Sequence, residues 1–270
     1  MIENVTLNNG VTMPMLGLGV WKVSDDEAER VVTDAISKGY RAIDTAAAYG
    51  NEEGVGRGIA KSGVSREDIF VTTKIWNSDQ GYEQALAAFD VSRRKLNMDV
   101  VDLVLIHWPV KGKYQDTWRA LEEIYSKGYA RAIGVSNFHQ HHLDDIAAVS
   151  SLTPAVNQVE YHPLLTQEPL RAYCESKGIR MTAWSPLMQG NLDVPILKEI
   201  AAKHGKSPAQ VVLRWDIQNG VITIPKTTTS SRLVENSQIF DFELSAEEMQ
   251  QISALNQNRR FGSDPDNFNF

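Results

Sequence analysis

Eight short β-rich runs recur along this chain, and their spacing limits the fold more than any other feature. They lie at 16–20 (LGLGV), 40–44 (YRAID), 69–74 (IFVTTK), 102–107 (DLVLIH), 131–137 (RAIGVSN), 155–160 (AVNQVE), 180–185 (RMTAWS) and 221–226 (VITIPK). Most follow the previous run by about 24–32 residues, the length of one strand-helix step. Runs such as VDLVLI are almost unbroken in their apolar character, as strands buried on both faces of a parallel sheet are. The intervening stretches are punctuated as helices. Ser24 precedes DDEAERVVTDAISK and Gly39 follows it, YQDTWRALEEIYSK stops at Gly128, and Ser207-Pro208 opens a segment that ends at Gly220. No linker or shift in composition interrupts the alternation, so a single domain over 1–270 is expected. Eight strands in this length predict an α/β fold of the closed (β/α)8 TIM barrel type rather than an open sheet. At the ends, VTLNNGVTMP predicts a hairpin turning at Asn9-Gly10 that plugs the barrel bottom. LSAEEMQQISALN carries a capping box from Ser245 to Glu248 and predicts an extra C-terminal helix. The tail after it reads as a loop, with Phe261, Phe268 and Phe270 free to cover something.

With 42% hydrophobic residues among 270, a full-sized core is available. A net charge of -7 argues against nucleic acid or an anionic membrane as the main partner. The one cysteine, Cys174, excludes an internal disulfide, suits a reducing cytoplasm, and reads as a small buried apolar residue in a helix. MIENVTLNNG has no signal-peptide character, and no apolar run approaches the ~20 residues of a membrane span.

In a barrel of this kind, chemistry collects where strands run into their following helices. Those positions hold Asp44, Lys74, His107, Ser136-Asn137, Gln158 with Glu160, Trp184-Ser185 and Lys226. Any one of them alone is compatible with a satisfied core residue, but a ring converging on one rim is hard to explain structurally. Asp44, Lys74 and His107 end successive strands, and Tyr49 follows Asp44 closely. A lysine beside a tyrosine hydroxyl stabilises the phenolate and is expected to lower a pKa that starts near ~10. A carboxylate beside the lysine keeps it charged. The tyrosine then gives a proton to a developing alkoxide while the imidazole orients the substrate oxygen. The constellation suits carbonyl reduction; no nucleophile-base pair for acyl transfer is apparent.

The motifs LGLGVW, RAIDTAAAYGNEEGVG, IFVTTKIWN, VDLVLIHWP, IGVSNF, NQVEYHP, WSPLMQG and IPKTTTSSRLVEN resemble, in order and spacing, those of the aldo-keto reductase superfamily. That resemblance implies the same barrel and a catalytic tetrad of Asp44, Tyr49, Lys74 and His107. It implies NADPH lying extended across the barrel mouth. Ser136, Asn137 and Gln158 would hold the nicotinamide carboxamide, and Trp184 would stack on its ring. Ser185, Leu187 and Gly190 would lie near the pyrophosphate, Lys226, Thr227 and Arg232 at the 2′-phosphate, and Glu235 and Asn236 at the adenine. Gly19, Trp21 and Asp44 complete the expected cofactor contacts. Trp21, Tyr49, Trp76, His107 and Trp108 would bind substrate. Trp184, where many animal members have tyrosine, together with the short tail looks more like bacterial 2,5-diketo-gluconate and glyoxal or methylglyoxal reductases. The short tail implies an open, permissive pocket. The resemblance thus implies a cytoplasmic, monomeric NADPH-dependent reductase of aldehydes and ketones. The rival from another class is an NADPH-binding sensor with little catalytic activity, which has no need of an intact tetrad.

Other motifs receive plainer readings. GVGRGIAKSG (54–63) mimics a dinucleotide loop, but its third glycine is misplaced and no strand leads into it. It is expected in a helix packed closely on the barrel. HQHH (139–142) is read as surface or capping residues rather than a metal site. Glu160 and His162 with His107 would suit a metal-dependent barrel hydrolase, but an early His-x-His is missing. No metal is therefore expected. Arg93, Arg94 and Lys95 are read as a solvated helix face.

Overall fold

Each predicted apolar run becomes a strand in the computed structural model, which describes residues 2–270. The hairpin strands are β1 (Asn4–Thr6) and β2 (Thr12–Pro14). The parallel strands are β3 (Leu18–Gly19), β4 (Ala42–Asp44), β5 (Phe70–Ile75), β6 (Val101–Ile106), β7 (Ala130–Ser136), β8 (Val156–Glu160), β9 (Arg180–Trp184) and β10 (Ile222–Thr223). They pair in sequence order from β3 to β10. Parallel bridges from Leu16 to Thr223 and from Gly19 to Lys226 join the first strand region to the last and close the barrel. At that seam a Cβ on Gly19 would stand 2.9 Å from the Ile224 carbonyl oxygen, so only glycine lets the two chains approach.

Helices α1 (Asp25–Ser37), α2 (Glu52–Lys61), α3 (Tyr82–Leu96), α4 (Tyr114–Ser126), α5 (Gln140–Val149) and α6 (Glu168–Ser176) follow β3 to β8 in turn. Two helices, α7 (Pro195–His204) and α8 (Pro208–Gln218), follow β9. After β10 come α9 (Ser230–Ser237) and the extra helix α10 (Ala246–Ser253). The expected caps form: Ser24 accepts from the Glu27 amide, and Ser207 with Gln210 and Ser245 with Glu248 make reciprocal capping boxes. Each satisfies amides that a helix start leaves without an internal partner. No helix among the described residues is long and apolar enough to cross a membrane.

Strand β6 is buried along its whole length, including a carboxylate. Asp102 is kept there by Arg66 at 2.6 Å, Arg131 at 2.7 Å and the Val71 amide at 2.9 Å, which together offset its desolvation. The hairpin turn reaches the same lower end, where Asn9 donates to the Arg131 carbonyl and Asn8 to that of Pro154. The glycine-rich stretch is helical, as expected, but its glycines face other helices rather than the strands. A Cβ on Gly54 would lie 1.9 Å from the Asp25 carbonyl oxygen in α1, and one on Gly56 2.4 Å from that of Leu96 in α3. Cys174 is buried, and burial pushes its thiol up to about 11. Arg93 is less solvated than expected, because its guanidinium lies over the Tyr129 ring and its Nη1 donates to the Asp99 carbonyl.

Candidate active site

The carboxyl ends of the strands surround one cavity of about 1240 Å³. Every expected site residue except Lys74 lines it, from Gly19, Trp21 and Asp44 through Ser136, Asn137 and Gln158 to Arg232, Glu235 and Asn236. Lys74 lies fully buried just behind.

Lys74 Nζ is 2.6 Å from Asp44 Oδ1, 2.9 Å from the Thr45 carbonyl and 3.4 Å from the Tyr49 hydroxyl. The second Asp44 oxygen accepts from Gln158 Nε2 at 2.7 Å. Burial by itself pushes the Lys74 pKa down, but Asp44 and Tyr49 outweigh it and the ammonium is held above its ordinary value. The expectation of a lowered Tyr49 pKa is corrected. Burial, reinforced by the Asp44 charge, outweighs Lys74 and raises it. Tyr49 therefore stays protonated at neutral pH. His107 moves the other way, well below its usual range, through burial and then through the nearby Lys74 charge. Its ring is neutral, sits edge-on to Tyr49 and Trp76 at 5.8 and 5.0 Å, and has a buried Nδ1 without a partner among the described residues.

The next ring of residues is braced internally. Asn137 adopts a left-handed φ of 63° and donates from Nδ2 to the His107 carbonyl (2.9 Å) and Ser136 Oγ (3.2 Å). Its Oδ1 accepts from Trp184 Nε1 at 2.8 Å. Both amide hydrogens of Asn137 are thus spent on protein, so it braces His107 and Trp184. Gln158 Oε1 and one lone pair of Ser136 remain as unspent acceptors. Beyond β9, Ser185, Met188 and Gln189 all take left-handed φ near 53°, backbone strain typical of ligand-contacting loops.

At the far end of the cavity, Lys226 and Arg232 form no ion pair among the described residues, although the chain carries net charge -7. Arg232 lies in the first turn of α9, whose amide groups add positive potential. Two unpaired cations at a helix start in an acidic protein fit a phosphate group. Glu235 is fixed by the Ser207 hydroxyl.

The C-terminal segment, read from sequence as leaving the pocket open, enters it. The Phe270 ring stacks on Trp76 at 6.0 Å and meets Trp108 edge-on at 5.2 Å, and Phe268 also packs on Trp108. What seats this tail is a residue whose role sequence reasoning missed. Glu160, fully buried, accepts the Phe261 amide at 2.6 Å and the Gly262 amide at 3.1 Å, and is paired with His162 at 3.0 Å. A Cβ at Gly262 would lie 2.3 Å from Trp184, so glycine is required at that contact. A carboxylate ending a buried strand has to be hydrogen-bonded, and this was the available signal.

The barrel rim thus carries a buried carboxylate-lysine-tyrosine chain and a neutral imidazole at one end of a cavity and two unpaired cations at the other, an arrangement suited to proton transfer beside an anionic ligand. Comparison with known proteins identifies the class. The Aldo/keto reductase family model matches residues 13–257. The chain is 58% identical over 270 residues to the glyoxal reductase of Bacillus subtilis, covering 99% of this chain and 98% of that protein. It is 43% identical to the methylglyoxal reductase DkgA of Salmonella typhimurium, covering 98% and 97%. Among solved structures, a variant of Gox0644 in complex with NADPH superposes with a TM-score of 0.96 at 43% identity, covering 100% of both chains. The chain belongs to the aldo/keto reductase family, and it is an NADP-dependent oxidoreductase.

Proposed function

We propose that this enzyme reduces small aldehydes and ketones to alcohols, with α-dicarbonyls such as methylglyoxal, or keto-sugars, as substrates and Tyr49 as the proton donor. The observation that carries this reading is the enclosed chain Asp44–Lys74–Tyr49 beside a neutral His107 at the floor of one cavity. Residues suited to the cofactor are arranged along that cavity. Lys226, Thr227 and Arg232 would hold the 2′-phosphate of NADPH, Glu235 and Asn236 its adenine, and Ser185, Leu187 and Gly190 its pyrophosphate. Gln158 and Ser136, with their unspent acceptors, would take the carboxamide amine against Trp184. When bound, NADPH supplies the hydride that reduces the carbonyl carbon.

The remaining chemistry belongs to the chain. The substrate oxygen is held between the Tyr49 hydroxyl and the His107 ring, where negative charge develops on it. Tyr49, kept protonated by burial, donates its proton to that oxygen. Lys74 stabilises the phenolate left behind, and Asp44 keeps Lys74 charged and aimed. Trp76, Trp108 and the tail phenylalanines exclude water from the same space. We place the enzyme in the cytoplasm as a monomer, in keeping with its single buried thiol.

The test is NADPH oxidation by the wild-type chain with glyoxal, methylglyoxal, simple aldehydes and keto-sugars, ranked by kcat/KM. The reading predicts turnover of the α-dicarbonyls or keto-sugars above simple aldehydes. No turnover of any carbonyl would leave the sensor alternative standing and the reading refuted.

A further inference from the structure

Glu160 has a second neighbour besides the tail it seats. In the parallel register of β8 and β9 it lies beside Trp184. Its Oε1 takes the Phe261 amide at 2.6 Å and its Oε2 the Gly262 amide at 3.1 Å. Gly262 then rests on the six-membered end of the Trp184 indole, where a Cβ would meet Cη2 at 2.3 Å and Cζ3 at 3.1 Å. The pyrrole end of the same ring is tied through Nε1 to Asn137 Oδ1 at 2.8 Å. Trp184 is thus bounded at both ends, at one by a strand-end side chain and at the other by the tail. The tail has further anchors on either side of this point. Before it, the Gln257 and Arg259 amides donate to the Leu164 carbonyl at 3.1 and 3.0 Å. After it, Asp264 and Asp266 face His139 and His141 at 3.6 and 3.0 Å, and Asn77 Nδ2 holds the Phe270 main-chain oxygen at 3.0 Å.

We propose that Glu160 is a positioning residue shared by the two binding sites of this enzyme. By holding Gly262 against Trp184 it sets the ring that receives the nicotinamide, and by holding the turn of the tail it sets Phe268 and Phe270 against the substrate. The inference rests on the cofactor and substrate reading above and extends it to a side chain that touches neither ligand. Trp184, Phe261, Gly262 and Ser263 line the cavity, whereas Glu160 stands behind them, fully buried. A carboxylate is what this place requires. Phe261 and Gly262 present consecutive main-chain N–H groups, and a carboxylate gives each of them its own acceptor oxygen. Glutamine has the same size but one acceptor oxygen, and its amide nitrogen, a donor, would confront one of the two N–H groups. The tail then leaves its seat and Trp184 loses the contact at its outer end. Asp44, Lys74 and Tyr49 bond to one another from other elements, so the change falls on binding of both ligands rather than on the proton donor.

The experiment measures two constants on the full-length chain. One is the NADPH Kd, from tryptophan quenching with no carbonyl present; the other is the methylglyoxal KM at saturating NADPH. The proteins are the wild type, Glu160→Gln, Gly262→Ala, the double variant, and Gly54→Ala as a control destabilised at a helix contact outside the cavity. Circular dichroism verifies that each is folded under the assay conditions. The inference predicts that Glu160→Gln and Gly262→Ala each raise both constants about tenfold, the value of one lost charge-assisted contact. Because the two substitutions act on one contact, the double variant stays within about twofold of the stronger single, and Gly54→Ala leaves both constants unchanged. A Glu160 that serves stability alone would behave like the control. A folded Glu160→Gln protein in which either constant keeps its wild-type value therefore overturns the proposal. So do effects that multiply to about a hundredfold in the double variant, or an equal rise in Gly54→Ala. If Glu160→Gln does not fold, Gly262→Ala decides alone, and unchanged constants there overturn the proposal equally. A wild type that binds NADPH but reduces no carbonyl sinks the substrate reading instead, and the NADPH Kd then decides for Glu160 by itself.

Discussion

Asp44→Asn isolates the buried charge pair on which the proposed chemistry depends. The substitution keeps an acceptor for Gln158 but removes the negative charge 2.6 Å from a fully enclosed Lys74. With no counter-charge, the lysine folds only by losing its proton. If its pKa falls from ~10.4 to the ~5–6 found for buried lysines, that loss costs about 4–5 kcal/mol at pH 7. The figure agrees with the about 3–5 kcal/mol expected on breaking a buried ion pair. At about 2–4 °C per kcal/mol for a chain of this size, the melting temperature falls by about 8–20 °C. The pH dependence has a definite sign. In the wild type the Lys74 pKa is raised, so its contribution is whole at neutral pH and is lost only as pH rises through the folded value. In the variant the folded pKa is depressed, so the penalty shrinks with rising pH, by about 1.4 kcal/mol per unit up to about pH 10. Adding Lys74→Met removes the stranded amine and should return stability to within about 2 kcal/mol of wild type. Urea unfolding followed by tryptophan fluorescence at several pH values measures each quantity. A cost below about 1 kcal/mol at pH 7, or a gap that widens with pH, would refute the reasoning.

Other consequences follow from the same geometry. Arg232→Ala should raise the NADPH KM about tenfold to a hundredfold, the value of a charge-assisted phosphate contact, and leave the NADH KM unchanged; equal effects on both cofactors would remove the 2′-phosphate assignment. The His107 ring resonances should not titrate between about pH 8 and pH 6, because burial and Lys74 depress its pKa; a midpoint near the usual ~6.5 in an NMR titration would contradict this. Gly54→Ala should destabilise by about 1–3 kcal/mol or more, since its Cβ would meet the Asp25 carbonyl and α1 and α2 would have to separate. Unchanged urea stability would show that the helices are looser than this contact implies.

The barrel was readable because a parallel strand buried on both faces leaves an unambiguous apolar run, and because Ser and Gly mark the helix ends chemically. Residues such as Asp44, Lys74 and His107 were readable for the related reason that polar groups ending such runs demand an explanation. Helix α7 was not singled out, although Pro195 begins it and Gly205 ends it, because it interrupts the strand-helix rhythm. The direction of the Tyr49 shift was misjudged because it is a balance. Sequence places Lys74 near Tyr49 but does not weigh that charge against complete enclosure and the opposing Asp44. Contacts between distant segments were the least legible. The Glu160 clamp on Phe261 and Gly262 spans about a hundred residues, as 101 and 102 positions separate the partners. The meeting of Asp266 with the HQHH turn is likewise a product of where the tail lies, and no local pattern encodes it.

The central claim is that Tyr49 gives the proton, and Tyr49→Phe tests it most directly when turnover and cofactor binding are measured on the same protein. The ring and its contacts with His107 are kept, so NADPH should bind with nearly wild-type affinity while kcat for methylglyoxal falls by about 10²–10⁴. A variant that binds NADPH normally and still turns over methylglyoxal near the wild-type rate would contradict the account.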